Sequence, residues 1–155
     1  QRLNKVVLMG AMGIEFELTQ GLDQAWGYTP SIENMKSLLD TFAYSRVLVT
    51  DELAKMRFDA SVRPGFQESF GSMFPVPRQA SVSAMASCEE DIAKIENDVL
   101  IIHGRDDKVI PFENSVRLHK LITRSQMHSF GECGHWSQIE HKDRFNKLLV
   151  DFFAE

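Results

Sequence analysis

Apolar residues along this chain follow two spacings: short unbroken runs, and a recurrence every three to four positions. The runs are "LNKVVLMG" (3–10), "DVLIIHG" (98–104) and the shorter "QMHSFGECG" (126–134), which carries into a turn. Short aliphatic and β-branched runs bounded by glycine predict buried strands. Helical spacing lies between and after them. "PFENSVRLHKLI" (111–122) predicts a helix with Pro111 at its first position and Val116, His119 and Ile122 on one side. Near the C-terminus, Phe145, Leu148, Leu149, Phe152 and Phe153 recur at i, i+3, i+4, i+7 and i+8, a strong amphipathic helix expected to pack on the sheet. Strands separated by helices predict parallel pairing and an α/β fold with three parallel strands.

The stretch from Ile14 to Lys94 has another texture. "SIENMKSLLDTF" predicts a helix capped by Ser31, with Met35, Leu38, Leu39 and Phe42 as its stripe. "TDELAKMRFDAS" predicts a second, capped by Thr50 or Asp51, and "PGFQESFGSMF" adds Phe66, Phe70, Met73 and Phe74. An insertion of about 80 residues between neighbouring strands is too long for a simple crossover. A helical lid over one end of the sheet is expected. The predicted organisation is a core strand at 1–13, a lid and return to the core at 14–96, and a C-terminal core at 97–155.

Composition narrows the function only slightly. A length of 155 residues fits one domain able to bury a core without staples. The net charge of −5 gives no reason to expect nucleic acid or an anionic membrane as partner, so an anionic ligand would need locally placed cations. Cys88 and Cys133 are too few for a disulfide framework and fit a reducing, cytoplasmic setting. No run approaches the length of a membrane span. The opening "QRLNKVVLMG" lacks methionine and enters a strand almost at once, which suggests a cut inside a larger protein.

"HGRDDKVIP" (103–111) delivers Asp106 and Asp107 into a loop at the C-terminal end of a predicted strand, where ligands of open parallel sheets gather. Two readings stand there: solvated turn acids, or one aspartate orienting an imidazole. His135 in "GECGHWSQIEH" (131–141) emerges at the same sheet edge, after one helix and one more strand. Gly131 and Gly134 permit a tight turn around it, and Trp136 can shield it from water. His103, His119, His128 and His141 show no zinc spacing, so no metal is expected.

An aspartate followed by a histidine on successive strands fits the chain order Ser…Asp…His of α/β-hydrolases. "GRDDKVIP", "FGECGHWSQIEH", "RFNKLLVDFF", "GLDQAWGYTPSIENM", "RPGFQESFGSMFPVPRQ" and "EEDI" together resemble the meta-cleavage product hydrolases, nearest to their 2-hydroxymuconic semialdehyde branch. The resemblance covers essentially the whole chain. It implies a C–C bond hydrolase acting on 2-hydroxy-6-oxo-dienoates without cofactor, with His135 as base and Asp107, at G-x-x-D from Gly104, as its orienting acid. It further implies that Arg57 grips the anionic substrate, that Trp136 packs against the dienoate, and that Trp26 is a weaker pocket candidate. The family's serine elbow, G-x-S-x-G, occurs nowhere in the chain. Ser72 in "FGSMF" lacks its context, and Cys133 reads as a turn residue. The expectation is a C-terminal portion without its nucleophile, inactive alone. Its "LNKVVLMG" strand would lack a neighbour on one side, which predicts a homo-oligomer or association through that edge. A non-catalytic binding module and an ester hydrolase of the same fold are the alternatives; ligand binding without turnover would mark the first, preference for esters the second.

Overall fold

The computed structural model describes residues 3–154. Its centre is a three-stranded parallel sheet of β1 (Lys5–Met9), β2 (Asp98–Gly104) and β3 (Ser125–Phe130), in the order β1-β2-β3. Val7 lies opposite Leu100, and Leu100 opposite Gln126. Between β1 and β2 run α1 (Gln20–Trp26), α2 (Ile32–Phe42), a 3-10 turn at Arg46–Leu48, α3 (Asp51–Ser61), α4 (Phe66–Met73), α5 (Gln79–Met85) and α6 (Glu89–Ile92). Then α7 (Phe112–Leu121) joins β2 to β3, and α8 (Ser137–Glu140) and α9 (Lys142–Ala154) complete the chain.

Strand β2 is the spine because both its faces are covered. Val99 and Ile101 meet Ile14, Ile92, Leu118 and Ile122 on one side; Leu100 and Ile102 meet Phe130, Cys133, Phe145 and Phe152 on the other. A strand buried on both faces needs a continuous apolar run, as "VLII" provides. The expected "buried" strand at 3–10 is only half-buried over Lys5–Leu8, with Met9 41% exposed, because β1 is the sheet's edge among the described residues.

The caps form as their chemistry dictates. Ser31 Oγ accepts from the Asn34 N–H at 2.9 Å, and Thr50, rather than Asp51, accepts from the Leu53 N–H at 3.1 Å. Several expectations need correction. Pro111 stands just before α7, with ψ 132°, and not inside it. The buried face of α7 carries Asn114, Ser115 and Leu118, whereas His119 is exposed and bonds Ser125. Ser115 there meets the buried His103 imidazole, a polar contact that hydrophobic periodicity cannot register. The third strand, as expected, runs into a turn, ending at Phe130. Phe66, Met73 and Phe153, at or next to the ends of their helices, are each more than half exposed.

Candidate active site

The loops leaving β2 and β3 converge at one edge of the sheet. At Gly104 they approach so closely that a Cβ would lie 2.0 Å from the Gly134 carbonyl oxygen, so only glycine fits. The Arg105 N–H donates to the Phe130 carbonyl at 2.8 Å and the Asp106 N–H to the Cys133 carbonyl at 2.9 Å, fastening the loops together.

That junction brings Asp107 to His135. Asp107 Oδ2 accepts from His135 Nδ1 at 2.8 Å, while Oδ1 accepts from the Val109 and Ile110 N–H groups at 2.7 and 3.1 Å. The Asp107 side chain is fully buried. Burial pushes its carboxyl upward, but hydrogen bonds from His103 and His135, the charge of His135 and the Val109 N–H outweigh this and hold it well below the usual carboxylate range. An ionised carboxylate only accepts, so the neutral form of His135 carries its proton on Nδ1 and its lone pair on Nε2. The His135 side chain is 27% exposed, giving that nitrogen an outlet. Asp106 points elsewhere and pairs with Arg105 at 3.1 Å.

Three features around this pair escape hydrophobic patterning. Gly10, at the end of β1 with φ +47°, faces the imidazole so closely that a Cβ would sit 3.3 Å from His135 Nδ1 and Cε1. The His135 N–H donates to the Phe42 carbonyl at 2.8 Å, tying the imidazole-bearing loop to the end of α2. Glu140 strengthens the tie by accepting from the N–H groups of Gly134, Tyr44 and Ser45 at 2.7, 2.8 and 3.1 Å. Glu140 is legible in the sequence only as a charged residue on a short helix.

The remaining predicted residues are placed differently. Trp136 is 8% exposed and packs with Tyr28, Met35, Leu38, Leu39, Ala43 and Ala54. The Arg57 guanidinium lies 5.4 Å from its ring centroid, a cation–π contact beside the imidazole loop. Trp26 is not brought to the pair: it stacks on Phe74 at 4.4 Å inside a core with Leu22, Val82, Val109 and Ile110. An apolar cavity of about 330 Å³ opens among the helices, lined in part by Tyr28, Met35, Phe42, Phe66 and Phe70. Phe42 joins it to the site, its ring 5.6 Å from His135, and neither tryptophan lines it. The Cys133 thiol is buried and pushed up to about 12 by burial and then by the charges of Glu140, Asp107 and Asp106, so it is no thiolate. Among the described residues no cluster of His, Cys, Asp or Glu could hold a metal ion, and no helix is long and apolar enough to cross a membrane.

A buried aspartate and a half-buried histidine on successive strand-end loops of a parallel sheet fit one fold family. The family described as alpha/beta hydrolase fold matches residues 1–142. The chain belongs to the α/β-hydrolase fold family. Within it, the chain is 58% identical over 153 residues to a 2-hydroxy-6-oxo-2,4-heptadienoate hydrolase of Pseudomonas putida, covering 99% of this chain and 55% of that protein. It is 54% identical over 155 residues to a 2-hydroxymuconate semialdehyde hydrolase of Pseudomonas putida, covering 100% and 55%. Among solved structures it resembles the meta-cleavage product hydrolase of Pseudomonas fluorescens IP01, with a TM-score of 0.97 and 61% identity over 99% of this chain and 56% of that one. The chain thus spans about half the length of the curated relatives it matches. In this α/β-hydrolase chain β1, β2 and β3 form a parallel sheet with helices on both faces.

Proposed function

We propose that this chain supplies the acid–base half of a hydrolase that cleaves the C–C bond of 2-hydroxy-6-oxo-dienoates, of the 2-hydroxymuconate semialdehyde type. The 2.8 Å bond from His135 Nδ1 to the buried Asp107 carboxylate carries this reading, because it leaves Nε2 as a base. The high identity to enzymes named for such dienoates points to the substrate class.

In the proposed reaction the dienol is first ketonised, and a serine outside these residues then attacks the C6 carbonyl. His135 Nε2 takes the serine proton, and Asp107 stabilises the imidazolium so formed. The C5–C6 bond then breaks, its electron pair leaving with the departing fragment as a stabilised dienolate, whose oxygen takes the proton from the His135 imidazolium. His135 then activates water to release the acyl group. One water is consumed, giving a 2-hydroxypenta-2,4-dienoate and a carboxylic acid. Neither metal nor organic cofactor enters this scheme. Arg57 would grip the substrate's carboxylate or enolate oxygen, with Trp136 stacked behind it and contributing to the same wall. Trp26 would act only from beneath, through Phe74.

The test follows loss of the dienoate chromophore in a complete protein that carries this chain. His135→Ala should abolish turnover, and Arg57→Ala should raise KM more than it lowers kcat. Turnover undiminished in the His135 variant would sink the reading. The 155 residues alone should not turn over dienoate, since they contain no G-x-S-x-G serine.

A further inference from the structure

His103 is fully buried at the end of β2, the one ionisable side chain in a run of aliphatic residues. A buried imidazole is costly unless both nitrogens find partners. Both do. Nε2 lies 3.1 Å from Asp107 Oδ2 and 3.2 Å from the Ile110 carbonyl oxygen, and Nδ1 lies 2.6 Å from Ser115 Oγ. The first two partners only accept, so Nε2 carries the proton, and the buried Ser115 hydroxyl donates to Nδ1. A continuous chain therefore runs Ser115 to His103 to Asp107, where it meets His135 arriving from the other side.

The two imidazoles share a single oxygen. Oδ2 takes both ring N–H groups, while Oδ1 takes the two backbone N–H groups of Val109 and Ile110. All four accepting positions of the carboxylate are thereby filled, so it can neither rotate nor exchange oxygens. We propose that His103 is a positioning residue of the proton-transfer pair: its Nε2–H, held in that tautomer by the two oxygens that face it and polarised by Ser115 at Nδ1, fixes Asp107 Oδ2 and draws off part of its charge, setting how tightly His135 keeps its proton. This rests on the proposed role of His135 as base.

The surroundings leave His103 as the tuning group. Phe112 from α7 meets its ring edge-on at 5.7 Å, and Gly10 from β1 brings no charge. The charge acting on Asp107 is that of His135, whereas Asp106 on the same loop and Glu140 at the end of α8 act on Cys133.

The experiment uses the complete protein carrying this chain, with His135 titrated by NMR and kcat and KM measured on dienoate along the acid limb of the pH profile. His103→Leu removes the donor and returns charge to Oδ2. The His135 midpoint and the acid limb of kcat/KM should then both rise by about one pH unit. His103→Gln, which can offer an amide N–H to Oδ2, should restore most of the wild-type midpoint. Ser115→Ala, which removes the hydroxyl that polarises the ring at little cost in volume, should weaken the Nε2–H bond to Oδ2 and give an intermediate shift. A wild-type midpoint in folded His103→Leu would overturn the proposal. If that variant does not fold, a wild-type midpoint in Ser115→Ala would do the same. The NMR titration needs no turnover, so a wild-type protein inert toward dienoate would count against the proposed function and leave this result to be judged separately.

Discussion

Asp107 accepts hydrogen bonds from four donors without exposing a carboxylate oxygen, and its chemistry follows from that shell. Replacing it with asparagine keeps the shape but removes the charge that stabilises the imidazolium. Asp107→Asn should lower kcat on the order of 10⁴-fold in the complete enzyme, as loss of the acid does in other triads. The same shell couples to stability. The folded carboxyl titrates below its unfolded value of about 3.9, so its stabilisation is complete above that value and is lost as pH falls through the lower folded value. Urea melts of the wild type should therefore lose stability more steeply below about pH 4 than those of Asp107→Asn. Cys133 gives a third check. Iodoacetamide should label exposed Cys88 and spare buried Cys133 in the folded protein, then label both after unfolding, read as one adduct and two by mass. His135 is recognisable in the sequence by its glycine-flanked turn and family likeness. His103 is not, because a histidine closing an apolar run gives no hint of which carboxylate it will meet.

The helices of the insertion were well announced by their caps, since Ser31 and Thr50 act within three residues of themselves. The contacts that secure the site are long-range and left no local trace. Glu140 reaches Tyr44 across 96 positions of sequence. Glu140→Ala would strand three backbone donors, and such losses cost about 1–3 kcal/mol each where no water replaces the partner. The expected result is a destabilisation of a few kcal/mol at most in denaturant melts, with kcat falling as the imidazole loop loosens. Glu140→Gln, keeping one carbonyl acceptor, should recover part of both. The α7 face shows the opposite failure: periodicity favoured Val116 and His119, whereas burial follows Ser115 and Asn114, whose polar groups face the interior.

Across the molecule, the three apolar runs and the helical spacing between them conveyed the parallel architecture, although the run of β1 overstated its burial. Which partner lies beyond β1 is not written there. Its outer edge carries no partner among the described residues, and such an edge favours strand addition. We propose that it pairs with another strand, of a second copy or of a longer polypeptide. Light scattering on the 155-residue chain should show association, and a stable monomer would contradict it.

The backbone bond from His135 to Phe42 has a mechanical consequence. The helix that roofs the apolar cavity also steers the base, so the two cannot move independently. A motion wide enough to admit or release a ligand past Phe42 would either carry the imidazole with it or uncouple it from Asp107. Movement at Phe42 and the placing of the imidazole beside Asp107 are thus geared together.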